Sequence, residues 1–362
     1  MKTIKIAFLL ALTLCVNQIM ADDSFTVEEF TLDAGETKDV AIYITNTNTI
    51  YGFQFSLYLP EGVEIVQESE EYDIFMSSSR LSWTVLGVYH EDDKHYEIGG
   101  GGIRGLSPNS NTEFIIFTVT ATDKISTGQQ TCTIRNQRMT VNNEVGDPVV
   151  NWVNVDGTSE NCTLRVPVKI GSSGYCSFSW PRDLDFSNCG DNYENVFVAN
   201  SETQSSVIIK SIDSHKISAG TGVLVKGTSG KTIYPQTTDN VEEVYSIFVG
   251  TSSAPFTVSS TGEAWALAVL DGKTGFYPCK KGVTVPQYKC YLPGGFSSKS
   301  FIMLKQVNSN DDLVNDDAGI VDGINTVNDN ASNDTYYDLQ GRRVSTTRHG
   351  IYIQNNKKVI VK

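Results

Sequence analysis

An all-β fold is predicted by three features of the sequence. Short runs rich in Val, Ile, Thr, Tyr and Phe recur between clusters of Gly, Asn, Asp and Ser, the pattern of strands bounded by turns. Within these runs apolar and polar residues alternate with a period of two, which gives each strand one face made for a core. Helical periodicity is nearly absent.

The elements follow in order. MKTIKIAFLLALTLCVNQIMADD sets two lysines before an apolar run from Ile6 to Val16, then Ala21 before two acidic residues. This is the pattern of a secretory signal peptide, too short in its apolar run to anchor in a bilayer. Cleavage is expected between Ala21 and Asp22, leaving a soluble mature chain. Leu14 stands where a lipoprotein signal needs a small residue before Cys15, so no lipid anchor is expected.

From residue 22, DVAIYITNT alternates Val40, Ile42 and Ile44 against Ala41, Tyr43 and Thr45, and YGFQFSLYL sets Phe53, Phe55, Leu57 and Leu59 against Gln54, Ser56 and Tyr58. Both read as half-buried strands. The turn PEG closes the second, and EFIIFTVTAT and QTCTIRNQRMTV read as further strands. In RLSWTVLGVY, Leu81, Trp83 and Val85 share a face, which favours core over a stacking platform for Trp83. A second β region spans 165–306, with turn signals SAGTG at 218–222, DGKTG at 271–275 and LPGG at 292–295. Residues 307–335 contain 14 Asp or Asn among 29 and no Lys or Arg; so acidic a stretch cannot bury enough apolar surface to fold alone and reads as a disordered linker. Residues 336–362 turn basic, with six Lys or Arg against one Asp. YDLQGRRV reads as a strand and a Gly turn, and GIYIQNNKKVIVK as two short strands around Asn-Asn.

Charge narrows the function. The formal net charge is −14, and residues 22–335 alone carry 20 Lys or Arg against 41 Asp or Glu. Such a surface repels phosphate backbones and anionic headgroups, so nucleic acid is not an expected partner. No second apolar stretch has transmembrane length.

Six cysteines follow the signal: Cys132, Cys162, Cys176, Cys189, Cys279 and Cys290. An even number in an exported chain suggests disulfides. Cys176 with Cys189, and Cys279 with Cys290, are close enough to staple single hairpins, which leaves Cys132 with Cys162; six buried thiols are the alternative in a reducing environment.

Candidate chemistry is sparse. In VYHEDDKHYEIGGGG, His90 and His95 flank a four-residue turn, and with Asp92 they make a candidate divalent-metal site; a solvated hairpin tip is the competing reading. Neither GGGG at 99–102 nor DGKTG has the phosphate-loop pattern. No GxSxG elbow is present, and adjacent acidic pairs on a strand point to opposite faces. No catalytic residue and no cofactor are expected. Trp152 and Trp180, beside turn signals, are candidate sugar-stacking platforms.

Three stretches resemble known families. FTLDAGETKDVAIYITNTNTIYGFQFSLYLPEGVEIV, followed by GGGGIRGLSPNSNTEFIIFTVTATDKISTGQQTCTIRN, resembles the cohesin domain over about residues 24–164. The opening GE turn, the Asn-containing loop, the GFQF-like strand and the late Phe-rich strand occur in that order. The resemblance implies a jelly-roll β-sandwich like that of carbohydrate-binding modules, and a dockerin partner. GYCSF, GTG, GFY and KCYLP, in that order, resemble a β module frequent in secreted proteins of Bacteroidales, which implies no chemistry.

The tail is similar to the C-terminal sorting domain of type IX secretion in Bacteroidetes. Tyr337, Leu339, Gly341, Gly350, Ile351, Tyr352, Ile353, Lys357, Lys358, Val361 and Lys362 match. That likeness implies recognition by export machinery in the outer membrane, and a surface or secreted location; a small β module packed on the body is the other reading. Together these point to an exported binding protein for carbohydrate or a protein partner. A structural or adhesive surface protein, and a polysaccharide hydrolase with an unrecognised site, remain the alternatives.

Overall fold

The computed structural model describes residues 23–77, 83–91, 94–141, 151–155, 157–202, 205–295 and 300–307, and four strands between 336 and 361. As the alternation predicts, every regular element among them is a strand, and no helix is long and apolar enough to cross a membrane. The expected signal, its cleavage site at Ala21 and Asp22, and residues 308–335 of the expected linker lie outside the described residues. The chain forms two compact units, residues 1–315 and 316–362.

The first unit opens with a β-sandwich. One sheet runs β1 (Ser24–Val27), β3 (Thr37–Asn46), β11 (Asn109–Ala121), β5 (Val63–Ile65), with β8 (Ile74–Met76) also on β11. The facing sheet runs β2 (Phe30–Asp33), β14 (Thr158–Arg165), β12 (Gly128–Val141), β4 (Ile50–Tyr58), β10 (His95–Leu106), β9 (Thr84–His90), with β13 (Asn151–Val155) also on β12. A two-strand ribbon joins β6 (Gln67–Glu68) to β7 (Glu71–Tyr72). All ladders are antiparallel except β2 with β14.

The predicted faces build the core. Val40, Ile42, Ile44, Phe53, Phe55 and Leu57 are buried, while Leu59 is half-buried. Ala41 and Ser56, expected outside, are buried too. Aromatic rings fill the centre: Phe25 lies 5.0 Å from Phe55, and Phe53 lies 5.0 Å edge-on from Phe114. Trp83 is core, 5.7 Å from Phe114, and its indole N–H donates to the Arg104 carbonyl at 3.0 Å. GGGG at 99–102 is strand rather than loop. A Cβ on Gly100 would lie 2.1 Å from the Thr84 carbonyl, and one on Gly102 would lie 2.5 Å from the Trp83 ring, so both positions require glycine.

The rest of this unit, from Val166 onward, is dominated by a nine-stranded sheet. Its order is Tyr175–Phe178, Val223–Gly227, Tyr193–Glu202, Ser206–Ser211, Ile302–Val307, Lys273–Pro278, Ala264–Leu270, Cys290–Pro293, Val249–Gly250. Val307, assigned to the linker by composition, ends a strand here and is buried. Asp-Gly in DGKTG is a hairpin turn: Leu270 pairs with Lys273, and Asp271 and Gly272 both have positive φ, 52° and 75°, the backbone of a type I′ turn.

The two β regions are joined by packing and hydrogen bonds. One apolar cluster runs from Phe25 through Val166, Val168 and Ile170 to Ile233. The Arg182 guanidinium donates to the carbonyls of Lys124 and Ile125, at 2.7 and 2.9 Å, and to the Ser126 hydroxyl at 3.2 Å. Thr127 and Thr237 exchange backbone-to-hydroxyl bonds of 2.9 and 2.7 Å.

The second unit contains a four-stranded antiparallel sheet, ordered Arg343–Val344, Tyr336–Tyr337, Gly350–Gln354, Lys357–Val361. The last two strands pair from Gly350 with Val361 to Gln354 with Lys357, the hairpin that GIYIQNNKKVIVK predicts. Tyr337, Gly350, Ile351, Tyr352, Ile353, Lys357, Lys358 and Val361 lie in strands. Leu339, Gly341 and Lys362 lie outside the described residues.

Candidate functional site

The outer face of β4, β10 and β9 carries the most distinctive surface of the first sandwich. Because side chains alternate across a strand, the inward set of β9, Val85, Gly87 and Tyr89, is half-buried, and Thr84, Leu86, Val88 and His90 point outward. Leu86 is 68 % exposed and Val88 57 %. Leu86 pairs with Gly99 and Thr84 with Gly101 on β10, and Gly101 pairs with Gly52 on β4. These three glycines leave a lane floored by backbone beside the two aliphatic side chains. β9 carries no Asp, Glu, Lys, Arg or Pro, the devices that usually guard an edge strand, and among the described residues it pairs with β10 alone.

At one end of this face four flat groups form a column. His90 and His95 are register partners with rings 4.9 Å apart at 12°. Tyr58 stacks on His95 at 5.0 Å, and the Arg135 guanidinium lies over Tyr58 at 4.9 Å, a cation–π contact. Glu97 holds the column in place. One of its carboxylate oxygens accepts from Ser56 Oγ at 2.8 Å and lies 3.6 Å from His95 Nε2, and the other accepts from Gln54 Nε2. Asn136 Nδ2 donates to Ser56 Oγ at 3.1 Å. The column is rigid and polar; the lane beside it is flat and apolar.

The structure brings His90 and His95 together as their spacing predicts, but in a stack. His95 is intercalated between His90 and Tyr58, and the nearby carboxylate is Glu97. Asp92 lies outside the described residues, and among those described no three His, Cys, Asp or Glu side chains are grouped to hold a metal.

Trp180 is a correction to the stacking-platform expectation. It is 3 % exposed and lies 6.2 Å from Phe178 and 4.5 Å from Tyr288, ring to ring; the aromatic neighbours that surround it leave no face for a sugar. Trp152 lies in β13, and its side chain is outside the described residues.

The expected disulfides are corrected as well: all six cysteines are thiols. Cys132 and Cys162, on neighbouring strands, approach to 3.8 Å between sulfurs. The hydrogen bond that Cys162 accepts from Cys132 lowers the Cys162 thiol and raises that of Cys132, which burial raises further. Cys176 faces the Lys289 ammonium at 3.5 Å, whereas Cys189 sits beside Asp185, with burial pushing its thiol up to about 12. Cys279 packs with Val258 and Val285, and Cys290 packs with Phe248 and Trp265. Cys279 and Cys290 lie in different apolar clusters; Cys176 and Cys189 pack on the same one, but their sulfurs have different neighbours, Lys289 and Asp185.

Sequence reasoning missed Leu86 and Val88. The available signal was β9 itself, a strand with aliphatic residues on both faces beside neighbours such as YGFQFSLY that alternate apolar and polar.

No family model matches the chain, and no curated protein matches it. Solved structures of cohesins are similar to it. A cohesin module from a family 33 glycoside hydrolase of Clostridium perfringens is 14 % identical, with 40 % of this chain and 96 % of that one covered, at a TM-score of 0.31. A non-cellulosomal cohesin from Archaeoglobus fulgidus is 12 % identical, with 40 % and 91 % covered, at 0.31. A cohesin–dockerin complex from Clostridium thermocellum gives 9 % identity, 40 % and 99 % coverage, and 0.29. At TM-scores this low the likeness decides nothing about partner or site.

Proposed function

We propose that the chain is an exported, non-catalytic binding protein whose first sandwich engages a protein partner on the outer face of β4, β10 and β9. The observation that carries this reading is the exposure of Leu86 and Val88 on an uncharged edge strand, beside the glycine lane. Apolar side chains held in water on a rigid sheet gain about 25 cal/mol for each Å² a partner covers, and the lane admits partner side chains down to the backbone. The sequence resemblance of residues 24–164 to cohesins supplies the partner class, a dockerin-like module. Carbohydrate on this face is the second reading, supported by the Tyr58, His95 and His90 rings. Export rests on the signal pattern and on the likeness of residues 336–362 to a sorting tail, and these support a location on the surface or outside the cell.

The test is titration of the full chain with purified dockerin modules, followed by interferometry, for the wild type and for Leu86→Asp with Val88→Asp. Saturable binding that weakens at least tenfold in the double variant, with unchanged melting, is expected. Failure of every module to bind, or equal affinity in the variant, overturns the reading.

A further inference from the structure

We propose that Tyr245 and the clefts on either side of it form a second binding site, one that takes neutral hexose oligosaccharides. Tyr245 lies in an irregular stretch between the strands Gln236–Thr237 and Val249–Gly250. At 74 % it is the most exposed large apolar side chain among the described residues. Two open clefts of about 470 and 530 Å³ meet at Glu243, Val244 and Tyr245, each within the volume range of small-molecule sites.

Their linings match the two surfaces of a pyranose. A sugar ring has a C–H face that lies on an aromatic ring and a rim of hydroxyls that needs donors and acceptors. Tyr245 provides the ring. The larger cleft adds the hydroxyls of Ser218 and Thr221, 2.9 Å apart, with the exposed backbone of Gly220 beside them. The smaller cleft adds Glu242 and Asp239 as acceptors. One ring between two clefts suits consecutive sugars of a chain.

Charge selects among glycans. The clefts share Glu243, and Asp239 and Glu242 line the smaller one; its single cation, Lys216, lies 3.5 Å from Asp185. Uronic acids and sulfated sugars meet carboxylates at close range, where like charges repel, so neutral oligosaccharides are favoured. A basic peptide is the competing occupant, because the carboxylates of Asp183, Asp239, Glu242 and Glu243 outnumber Lys216; the exposed Tyr245 ring and the hydroxyls of the larger cleft favour the sugar.

The experiment is calorimetric titration of the full chain with cellohexaose, laminarihexaose, mannohexaose, a galacturonic acid hexamer and an oligolysine peptide. At least one neutral hexaose is expected to bind and the galacturonic acid hexamer not to. Tyr245→Ala should weaken the neutral sugar about tenfold or more, and Tyr245→Phe, which keeps the ring, should retain it. The Leu86→Asp, Val88→Asp variant should bind the sugar normally, which separates this site from the sheet face. Absence of binding to every neutral hexaose at millimolar concentration, indifference to Tyr245→Ala, or preference for oligolysine or the acidic hexamer overturns the proposal.

Discussion

The three most exposed large apolar side chains among the described residues, Leu86 and Val88 on one strand and Tyr245 elsewhere, stand on surfaces built in opposite ways. Leu86 and Val88 stand on β9, where the ladder to β10 fixes the backbone and the inward residues are pinned: a Cβ on Gly87 would lie 2.4 Å from Ile74. Tyr245 stands on a stretch without a ladder, positioned by isolated polar contacts. Asp183 accepts from the Val241 N–H at 2.9 Å, and Ser246 Oγ donates to the Gly222 carbonyl at 2.8 Å. A strand dictates its outward residues by a period of two; an irregular segment has no period, and single side chains decide where it points.

The sharpest break in the comparison lies between two aromatics of the second β region. Trp180 is enclosed and Tyr245 is not, so Trp180→Ala should cost about 3–5 kcal/mol in denaturant unfolding, and Tyr245→Ala less than about 0.5 kcal/mol. Equal costs would mean that Tyr245 is a packing residue. Next come the glycines of β10, which test the ladder itself. Gly100→Ala drives a methyl into the Thr84 carbonyl and should cost about 1–3 kcal/mol, whereas Gly99→Ala meets nothing nearer than 3.4 Å and should leave melting almost unchanged.

The join between the two β regions is sharpened by Arg182→Ala. Three hydrogen bonds from one guanidinium are lost, and two of their acceptors are backbone carbonyls. Bonds to a charged donor contribute about 1.5–3 kcal/mol. Melting is expected to drop and the single transition to broaden or split, because the apolar cluster through Val166 and Ile170 then carries the join with less help. An unchanged single transition would show that packing alone suffices.

These contrasts explain what could be read from the sequence. The strands were legible wherever apolar and polar residues alternate: Val40 to Ile44 and Phe53 to Leu57 went inward as expected, and the Asp-Gly and Asn-Asn hairpins followed from turn chemistry. Ser56 was misplaced because its burial comes from Glu97 and Asn136, which reach it from other strands. Trp180 was misread because its neighbour Tyr288 is distant in sequence, and proximity to a turn says nothing of what packs above a ring. The hairpin disulfides failed for the same reason: nearness along the chain put Cys176 with Cys189, while folding put Cys176 beside Lys289. Of the two proposed binding surfaces, the β9 face left a trace in the sequence, and the Tyr245 clefts left none.

The smallest expected effect tests whether isolated polar contacts hold irregular segments elsewhere in the second β region. Glu263 accepts from the Ser259 N–H at 2.6 Å, from its hydroxyl at 2.7 Å, and from the Ser260 N–H at 3.2 Å. Those bonds hold its carboxyl below the ordinary carboxylate value. A depressed carboxyl stabilises the fold above its unfolded pKa, and that contribution is lost as pH falls through the folded one. Amide exchange at Ser259 and Ser260 should therefore be slower in the wild type than in Glu263→Gln at pH 6, once the intrinsic rates are divided out. The two should converge only once pH has fallen through the depressed Glu263 pKa, where both side chains are neutral. Equal exchange in the two proteins at pH 6 would assign the ordering of this turn to its backbone bond from the Glu263 N–H to the Ser260 carbonyl, 3.1 Å long, rather than to the charge.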